Sequence, residues 1–314
     1  MATFLLTGCA GFVGSHLTEA VLARGDRVIG VDAFRDYYAR SLKELNIAQA
    51  SESDAFELVE ANLEDVDFDR LVDGVDGIFH LAAQAGVRGS WGDTFGIYAR
   101  DNVVATQRVF EAAIRARVRV VWASSSSVYG DAEAYPTAED TRPRPISPYG
   151  VTKASCEYLA GAYAASFGLD HVALRYFTVY GPRQRPDMAF SRIAQALADG
   201  SVFPMYGTGE QTRDVTFVAD AVSATLAAME LAPPGSLYNI GGGSETSLNE
   251  VISVAERLTE RRLRVHREAV ASGDVRRTAA DITRAKTELA WQPMTPIEQG
   301  LRAQLGAAGI PTQG

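Results

Sequence analysis

Phe4-Leu5-Leu6-Thr7-Gly8-Cys9-Ala10-Gly11-Phe12-Val13-Gly14, then a helical pattern, then Val28-Ile29-Gly30-Val31-Asp32, reads as strand, glycine turn, helix, strand and acid. In a βαβ unit each part of that order has a physical task. Gly8 permits the tight turn, Gly11 lets backbone N–H groups approach a pyrophosphate, and Gly14 lets helix and strand pack without an intervening side chain. Orphan N–H groups and the macrodipole at the helix start favour the negative phosphates. Asp32 can accept from a ribose hydroxyl and would repel a 2′-phosphate, which selects NAD over NADP; Arg35 weakens that repulsion. A glycine turn alone often only joins two elements. The ordered set through to Asp32 is what points to a dinucleotide.

Working outward, the 314 residues suffice for one large α/β domain or for one domain with a smaller lobe. The 46% apolar share is that of a globular protein with a full core. A net charge of −9 without a basic run excludes a nucleic-acid backbone binder. Two cysteines, Cys9 and Cys156, are too few for a disulfide framework or a four-ligand zinc site, and no metal is expected. Cys9, inside the glycine turn, reads as a small filler. No signal-type segment or membrane-spanning run is visible, so a cytoplasmic protein without membrane association is expected.

Along the chain, Ser41 to Ala50 reads as a helix and Phe56 to Val59 as a strand, with a short helix near Asp69 to Val72. Gly77-Ile78-Phe79-His80-Leu81-Ala82-Ala83 is a buried strand running into small residues that leave room for a ligand. One long helix is expected over Thr94 to Arg117, with Val103, Val104, Val109, Phe110, Ala113 and Ile114 on its apolar face. Val118 to Ala123 is a strand ending in Ser124-Ser125-Ser126-Ser127; Pro148 to Phe167 is a helix and His171 to Arg175 a strand. This alternation predicts a Rossmann-type doubly wound parallel sheet over residues 1–180. Beyond Gly181, prolines and glycines punctuate a mixed α/β region. It includes helices near Met188 to Ala198, Val218 to Leu231 and Leu248 to Arg261, and a strand at Leu237 to Ile240. Residues 181–314 are therefore expected to form mainly a substrate-binding lobe, with some segments returning to the main sheet.

Tyr149 and Lys153 are four apart at a helix start, so they share a face about one turn apart. An ammonium beside a phenol favours the phenolate, so Tyr149 can serve as a general base. A surface Tyr and Lys on a helix can also be merely solvated. The upstream nucleotide turn and the serine cluster ending a parallel strand favour the chemical reading.

These motifs together resemble the extended short-chain dehydrogenases that act on nucleotide sugars. The resemblance rests on the glycine turn, His80-Leu81-Ala82-Ala83, Ser124-Ser125-Ser126-Ser127-Val128-Tyr129-Gly130, Tyr149-Gly150-Val151-Thr152-Lys153 and Arg175-Tyr176-Phe177. It implies bound NAD and a catalytic set of Ser125, Tyr149 and Lys153: Ser125 bonds the reacting hydroxyl, Tyr149 takes its proton, and Lys153 holds the nicotinamide ribose. It assigns the NAD site to Gly8, Gly11, Phe12, Val13, Gly14, Asp32, Asn62, Leu63, Leu81, Ala82, Ala83, Gln84, Asn102 and Tyr176 as well. Branches that eliminate water carry Asp and Glu where this chain has Ser126 and Ser127, and decarboxylases carry Glu at the latter position. Neutral hydroxyls there suit a substrate carboxylate that another carboxylate would repel.

Phe177-Thr178-Val179-Tyr180-Gly181-Pro182, Arg185-Pro186-Asp187-Met188-Ala189 and Asp36-Tyr37-Tyr38 are similar to the UDP-glucuronate 4-epimerases; UDP-glucose 4-epimerases more often have Asn at the place of Thr178. The resemblance places Ser126, Ser127 and Thr178 around a glucuronate carboxylate, with Arg185 and Arg192 as nearby cations. It sets Arg213 on the UDP phosphates and Asp274 near the uridine ribose. Met188 and Tyr206 join the substrate site, and Arg88 faces either sugar or solvent. Many relatives carry Arg three positions before Asp274, where this chain has Ala271; Arg276 or Arg277 is the expected substitute. The implied reaction is NAD-dependent inversion at C4 of a UDP-sugar, UDP-glucuronate to UDP-galacturonate. A UDP-glucose 4-epimerase or a UDP-glucuronate decarboxylase is the alternative enzyme, and a non-catalytic NAD-binding sensor or scaffold the alternative of another class. Relatives pair the helices at Thr94 to Arg117 and Pro148 to Phe167 across a homodimer interface, so a homodimer is implied.

Overall fold

The computed structural model describes residues 1–270 and 272–313. Its first part runs β1 (Thr3–Thr7), α1 (Phe12–Ala23), β2 (Arg27–Asp32), α2 (Arg40–Ile47), β3 (Phe56–Glu60), α3 (Phe68–Leu71) and β4 (Gly77–His80). Then come α4 (Phe95–Tyr98), α5 (Ala105–Ala116), β5 (Arg119–Ser125), α6 (Pro148–Phe167), β6 (His171–Tyr176) and β7 (Thr178–Tyr180). The remainder is α7 (Ala189–Asp199), β8 (Val202–Tyr206), β9 (Thr212–Phe217), α8 (Val218–Leu231), β10 (Ser236–Ile240), β11 (Glu245–Ser247), α9 (Leu248–Thr259), β12 (Arg264–Glu268), α10 (Thr283–Glu288) and α11 (Ile297–Ala307).

Seven strands form one parallel sheet in the order β10-β6-β5-β4-β1-β2-β3. The chain winds outward from β1 to β3 and then returns to β4 on the other side of β1. A crevice opens at the carboxyl ends of the strands where the winding reverses. Leu5, Leu6, Ile78, Phe79, Val120 and Val121 are all but inaccessible to solvent, as continuous apolar runs in a sheet covered on both faces must be.

One face of the sheet is covered by α1 and α8, where Leu17 and Val21 meet Ala221, Ala224 and Ala228. The other carries α5 and α6, whose Val109, Phe110, Cys156 and Ala160 pack with Ile78 and Trp122. A separate core joins α7, α9 and α11 through Ile193, Leu197, Val251, Leu258, Leu301 and Leu305. Two small sheets, β11-β9-β7 and β12-β8, lie in the region that the sequence marks only by its punctuation. Strand β10 and helix α8 come late in the chain yet pack with the main sheet.

The long helix expected over Thr94 to Arg117 runs without a break from 95 to 116, but not in one register. Between α4 and α5, residues Ala99–Val104 form a π-helical turn, whose wider loop accommodates a residue out of step with the 3.6 period. That turn aims the Asn102 side chain inward, where Oδ1 accepts from Gln84 N (2.7 Å) and Nδ2 donates to Gln84 O (3.1 Å) and Thr152 Oγ1 (2.9 Å).

Candidate active site

Gly8 turns the chain with φ +76°, and a Cβ there would lie 2.7 Å from Ala82 N. A Cβ on Gly14 would lie 2.0 Å from Gly8 O, so only hydrogen lets α1 start against the turn. Gly11 is the N-cap of α1 and offers no side chain to bond the first-turn amides. Those N–H groups remain available to an anion at the helix start. Cys9 is fully buried, and burial together with Asp32 pushes its thiol pKa far up, so it is inert filler.

Asp32, at the end of β2, accepts from Ala10 N (3.2 Å) and Phe34 N (2.8 Å). Lys43 Nζ, buried on α2, sits 3.4 Å from Asp32 Oδ1. Sequence reasoning missed Lys43: nothing in its neighbours marks an ammonium that docking of α2 will bury. Arg35, which weakened the preference against a 2′-phosphate, is engaged with Asp101 (3.2 Å) and Glu64 (3.5 Å).

On the opposite side of the crevice, α6 begins sharply. Ser147 Oγ accepts from Gly150 N (3.1 Å) and Pro148 occupies the first turn. Such a cap is worth about 1 kcal/mol. It sets Tyr149 and Lys153 on the first turns. Tyr149 packs edge-on against Tyr98, centroids 6.3 Å apart, and Lys153 Nζ donates to Ala123 O (2.8 Å). Ser125, at the end of β5, accepts from Ser127 N (3.1 Å).

A buried network holds this strand end against the helix. Ser124 Oγ donates to Glu157 (2.5 Å), and Arg175 of β6 forks onto the same carboxylate (2.9 and 2.7 Å). Arg175 continues to Tyr129 Oη (2.6 Å), which donates to Asn239 Oδ1 (2.7 Å). Behind the 81–84 loop, His80 bonds Thr7 Oγ1 (2.7 Å) and Thr106 Oγ1 (3.0 Å). Burial, with Lys153 near by, pushes its pKa down to about 3, so the ring is neutral at working pH.

These elements enclose a cavity of about 450 Å³. Along one end lie Gly8, Gly11, Phe12, Val13, Gly14, Asp32, Asn62 and Leu63. Leu81, Ala82, Ala83, Gln84, Lys153 and Tyr176 line it further along, beside Ser125, Ser126, Ser127, Tyr149, Thr178, Arg185 and Met188. Arg185 is held by Asp187 (3.0 and 3.1 Å). Tyr37 and Tyr38, quoted from the sequence only as part of a resemblance, also border the cavity, as do Arg100 and Asp101, which were not expected from the sequence.

One expected contact is corrected. Asn102 is fully buried behind the cavity wall, where it holds the Gln84 backbone instead of facing a cofactor. Arg192, on α7, lies 5.9 Å from the Phe203 ring centroid and, like Arg88, Tyr206, Arg213 and Asp274, outside the cavity lining.

The other expected substrate residues gather beside the cavity. Arg88 pairs with Asp274 (2.7 Å) and lies over the Tyr206 ring (3.9 Å). Val87, at the cavity wall, is 3.0 Å from where a Cβ on Gly273 would lie, which ties this cluster to the cavity. Arg213 donates only to carbonyls of Thr212, Val275 and Arg276 among the described residues. Burial lowers its pKa, partly offset by Asp274, and its guanidinium meets no carboxylate within 4 Å among them. Arg277 forks onto Glu245 (2.5 and 2.7 Å), and Ala271 lies outside the described residues. Among the described residues no helix is long and apolar enough to cross a membrane.

A glycine-capped helix start, with Ser125, Tyr149 and Lys153 lining the crevice at the reversal of a parallel sheet, is the arrangement expected of an extended short-chain dehydrogenase. The match to the family described as GDP-mannose 4,6 dehydratase spans residues 5–304, and the chain belongs to that family. It is 41% identical over 306 residues to an uncharacterized UDP-glucose epimerase of Bacillus subtilis, covering 96% of each chain. It is 34% identical to the UDP-glucuronate 4-epimerase of Thermodesulfobacterium geofontis, over 96% of this chain and 94% of that one. The crystal structure of UDP-glucuronic acid 4-epimerase from Bacillus cereus with UDP-glucuronic acid and NAD superposes with a TM-score of 0.95. That match has 37% identity and covers 98% of this chain and 99% of the other.

Proposed function

We propose that the protein is an NAD-dependent UDP-sugar 4-epimerase whose substrate is UDP-glucuronate and whose product is UDP-galacturonate. The observation that carries the uronate reading is the lining of the cavity beside Tyr149. Ser126, Ser127 and Thr178 offer neutral hydroxyls and Arg185 a cation, where carboxylates would repel an acidic sugar. The glycine turn, the free amides of α1, and Asp32 with Lys43 fit an adenosine diphosphate. Arg213, which meets no carboxylate within 4 Å among the described residues, fits the diphosphate of the substrate.

When bound, NAD supplies the hydride acceptor and donor at C4. Tyr149 Oη takes the proton of the C4 hydroxyl and returns it at the end of the cycle. Ser125 Oγ holds the same oxygen. Lys153 donates one hydrogen bond to Ala123 O and keeps its other two N–H groups for the ribose. The sugar turns about its diphosphate link between the two half-reactions, so its other face is presented. The 4-keto uronate is a β-keto acid, and the hydroxyls of Ser126, Ser127 and Thr178 hold its carboxylate out of alignment for loss of carbon dioxide.

Incubation with UDP-glucuronate, UDP-glucose and each product, followed by chromatographic identification, tests the reading. Turnover of UDP-glucose alone supports the second reading, which the Bacillus subtilis relative's name favours. Replacing Thr178 by Ala removes one hydrogen bond to a charged group, worth about 1.5–3 kcal/mol. The UDP-pentose by-product should rise roughly tenfold relative to UDP-galacturonate, and an unchanged ratio would remove Thr178 from carboxylate control.

We further propose a cytoplasmic homodimer. Val104 after α4, Val151, Tyr158 and Phe167 on α6 and Phe95 on α4 are exposed apolar side chains on one helical layer. Such a set suits burial against a second copy. Light scattering is expected to return twice the 33.7 kDa chain mass, and a monomer at micromolar concentration would refute the pairing.

A further inference from the structure

The loop between β7 and α7, Gly181 to Met188, is fastened to the cofactor helix α1. His16 Nε2 lies 3.0 Å from Pro182 O, and because a carbonyl only accepts, the ring nitrogen donates. Arg183 donates to Glu19 Oε1 (2.7 Å) and reaches Ser15 Oγ (3.4 Å). Arg183 itself has φ +64°, a left-handed conformation rarely adopted by a long side chain and kept only where neighbours hold it. On the far side, Gln304 of α11 accepts from Gly181 N (3.0 Å) and donates to Gln184 (3.1 Å).

The fastened loop carries Arg185 and Met188 into the cavity. The same α1 contributes Phe12, Val13 and Gly14 to the cofactor end. One rigid helix therefore carries both the dinucleotide turn and the dock for the sugar-facing loop. We propose that His16, Glu19 and Arg183 are positioning residues: they dock the loop on α1 and so set where Arg185 stands relative to the reacting sugar. This rests on the uronate reading for its most sensitive measure, the partition between epimerisation and decarboxylation. The Glu19 and Arg183 side chains are each only 24% exposed, so a variant that loses stability is told from one that loses loop placement by its melting temperature.

The test is a double-mutant cycle of Glu19→Gln and Arg183→Gln on the NAD-loaded enzyme. Melting temperature and NAD content serve as controls for folding. Each single variant is expected to raise KM for UDP-glucuronate and the UDP-pentose share by roughly tenfold, with kcat little changed. The double variant should be no worse than either single one, because both remove the same contact. Unchanged KM and product ratio in Glu19→Gln, or strictly additive losses in the double variant, would overturn the proposal. If Arg183→Gln does not fold, Glu19→Gln and His16→Ala are read singly, each removing one attachment of the loop; the same rise in KM and UDP-pentose share is expected in each, and no change in either overturns the proposal. If the wild-type protein converts UDP-glucose and leaves UDP-glucuronate untouched, the uronate reading fails by itself. The clamp is then judged by the same cycle on KM for UDP-glucose, with the same outcomes supporting or overturning it.

Discussion

Tyr149→Phe is expected to lower kcat by about 10²–10⁴-fold, the range contributed by a positioned general base, while leaving NAD content and UDP-sugar affinity within a few-fold of wild type. The substitution deletes only Oη. The ring keeps its edge-on contact with Tyr98, and the Ser147 cap, Pro148 and the Lys153 bond to Ala123 O are untouched. Steady-state kinetics on the preferred UDP-sugar, with chromatographic quantification of released NAD, reads both halves of the expectation. A kcat within tenfold of wild type would remove Tyr149 from the proton transfer. Retained cellular function in that variant would favour the sensor or scaffold reading.

Gly14→Ala is expected to empty the cofactor site and destabilise the fold together. The added Cβ would meet Gly8 O at 2.0 Å, Gly8 C at 2.9 Å and Cys9 Cα at 3.3 Å, all backbone atoms of the turn that cradles the dinucleotide. No rotamer relieves a Cβ clash, so the turn must move. Overpacking of this kind costs roughly 1–3 kcal/mol, and the displaced turn no longer presents its amides to phosphate. The melting temperature should drop by several degrees, and purified protein should carry little NAD. Gly25→Ala is the control: Gly25 has φ +82° and nothing within 4 Å of the new Cβ, so only backbone strain of about 1–2 kcal/mol is added. NAD loss equal in both variants would show that the effect at Gly14 is general instability.

Several positions show why some of the site was legible in the chain and some was not. Gly8, Gly11, Gly14 and Asp32 were readable because their demands are local: a positive φ, a bare helix start and a strand end. Tyr149 and Lys153 were readable because helical periodicity alone places residues four apart on one face. The parallel sheet followed from strict alternation of strands and helices. Asn102 shows the opposite case. The apolar spacing of Thr94 to Arg117 predicts the helix that is found, but the demand of the Gln84 backbone for partners is met by a π turn within it, which hydropathy does not register.

The chain by itself determined the dinucleotide turn, the sheet and the placing of Tyr149 and Lys153 on one helix face, because each depends on torsion preferences and periodicities within a few residues; Ser125 entered only through the family resemblance. Only the tertiary structure decided how the distant pieces meet. It buries Lys43 beside Asp32 and brings Arg88, Tyr206 and Asp274 together from three separate segments. It also docks the Gly181 to Met188 loop on α1, some 160 residues earlier in the chain. Such contacts arise from the packing of whole elements, where burial and hydrogen bonding over the entire interface outweigh the preference of any one segment.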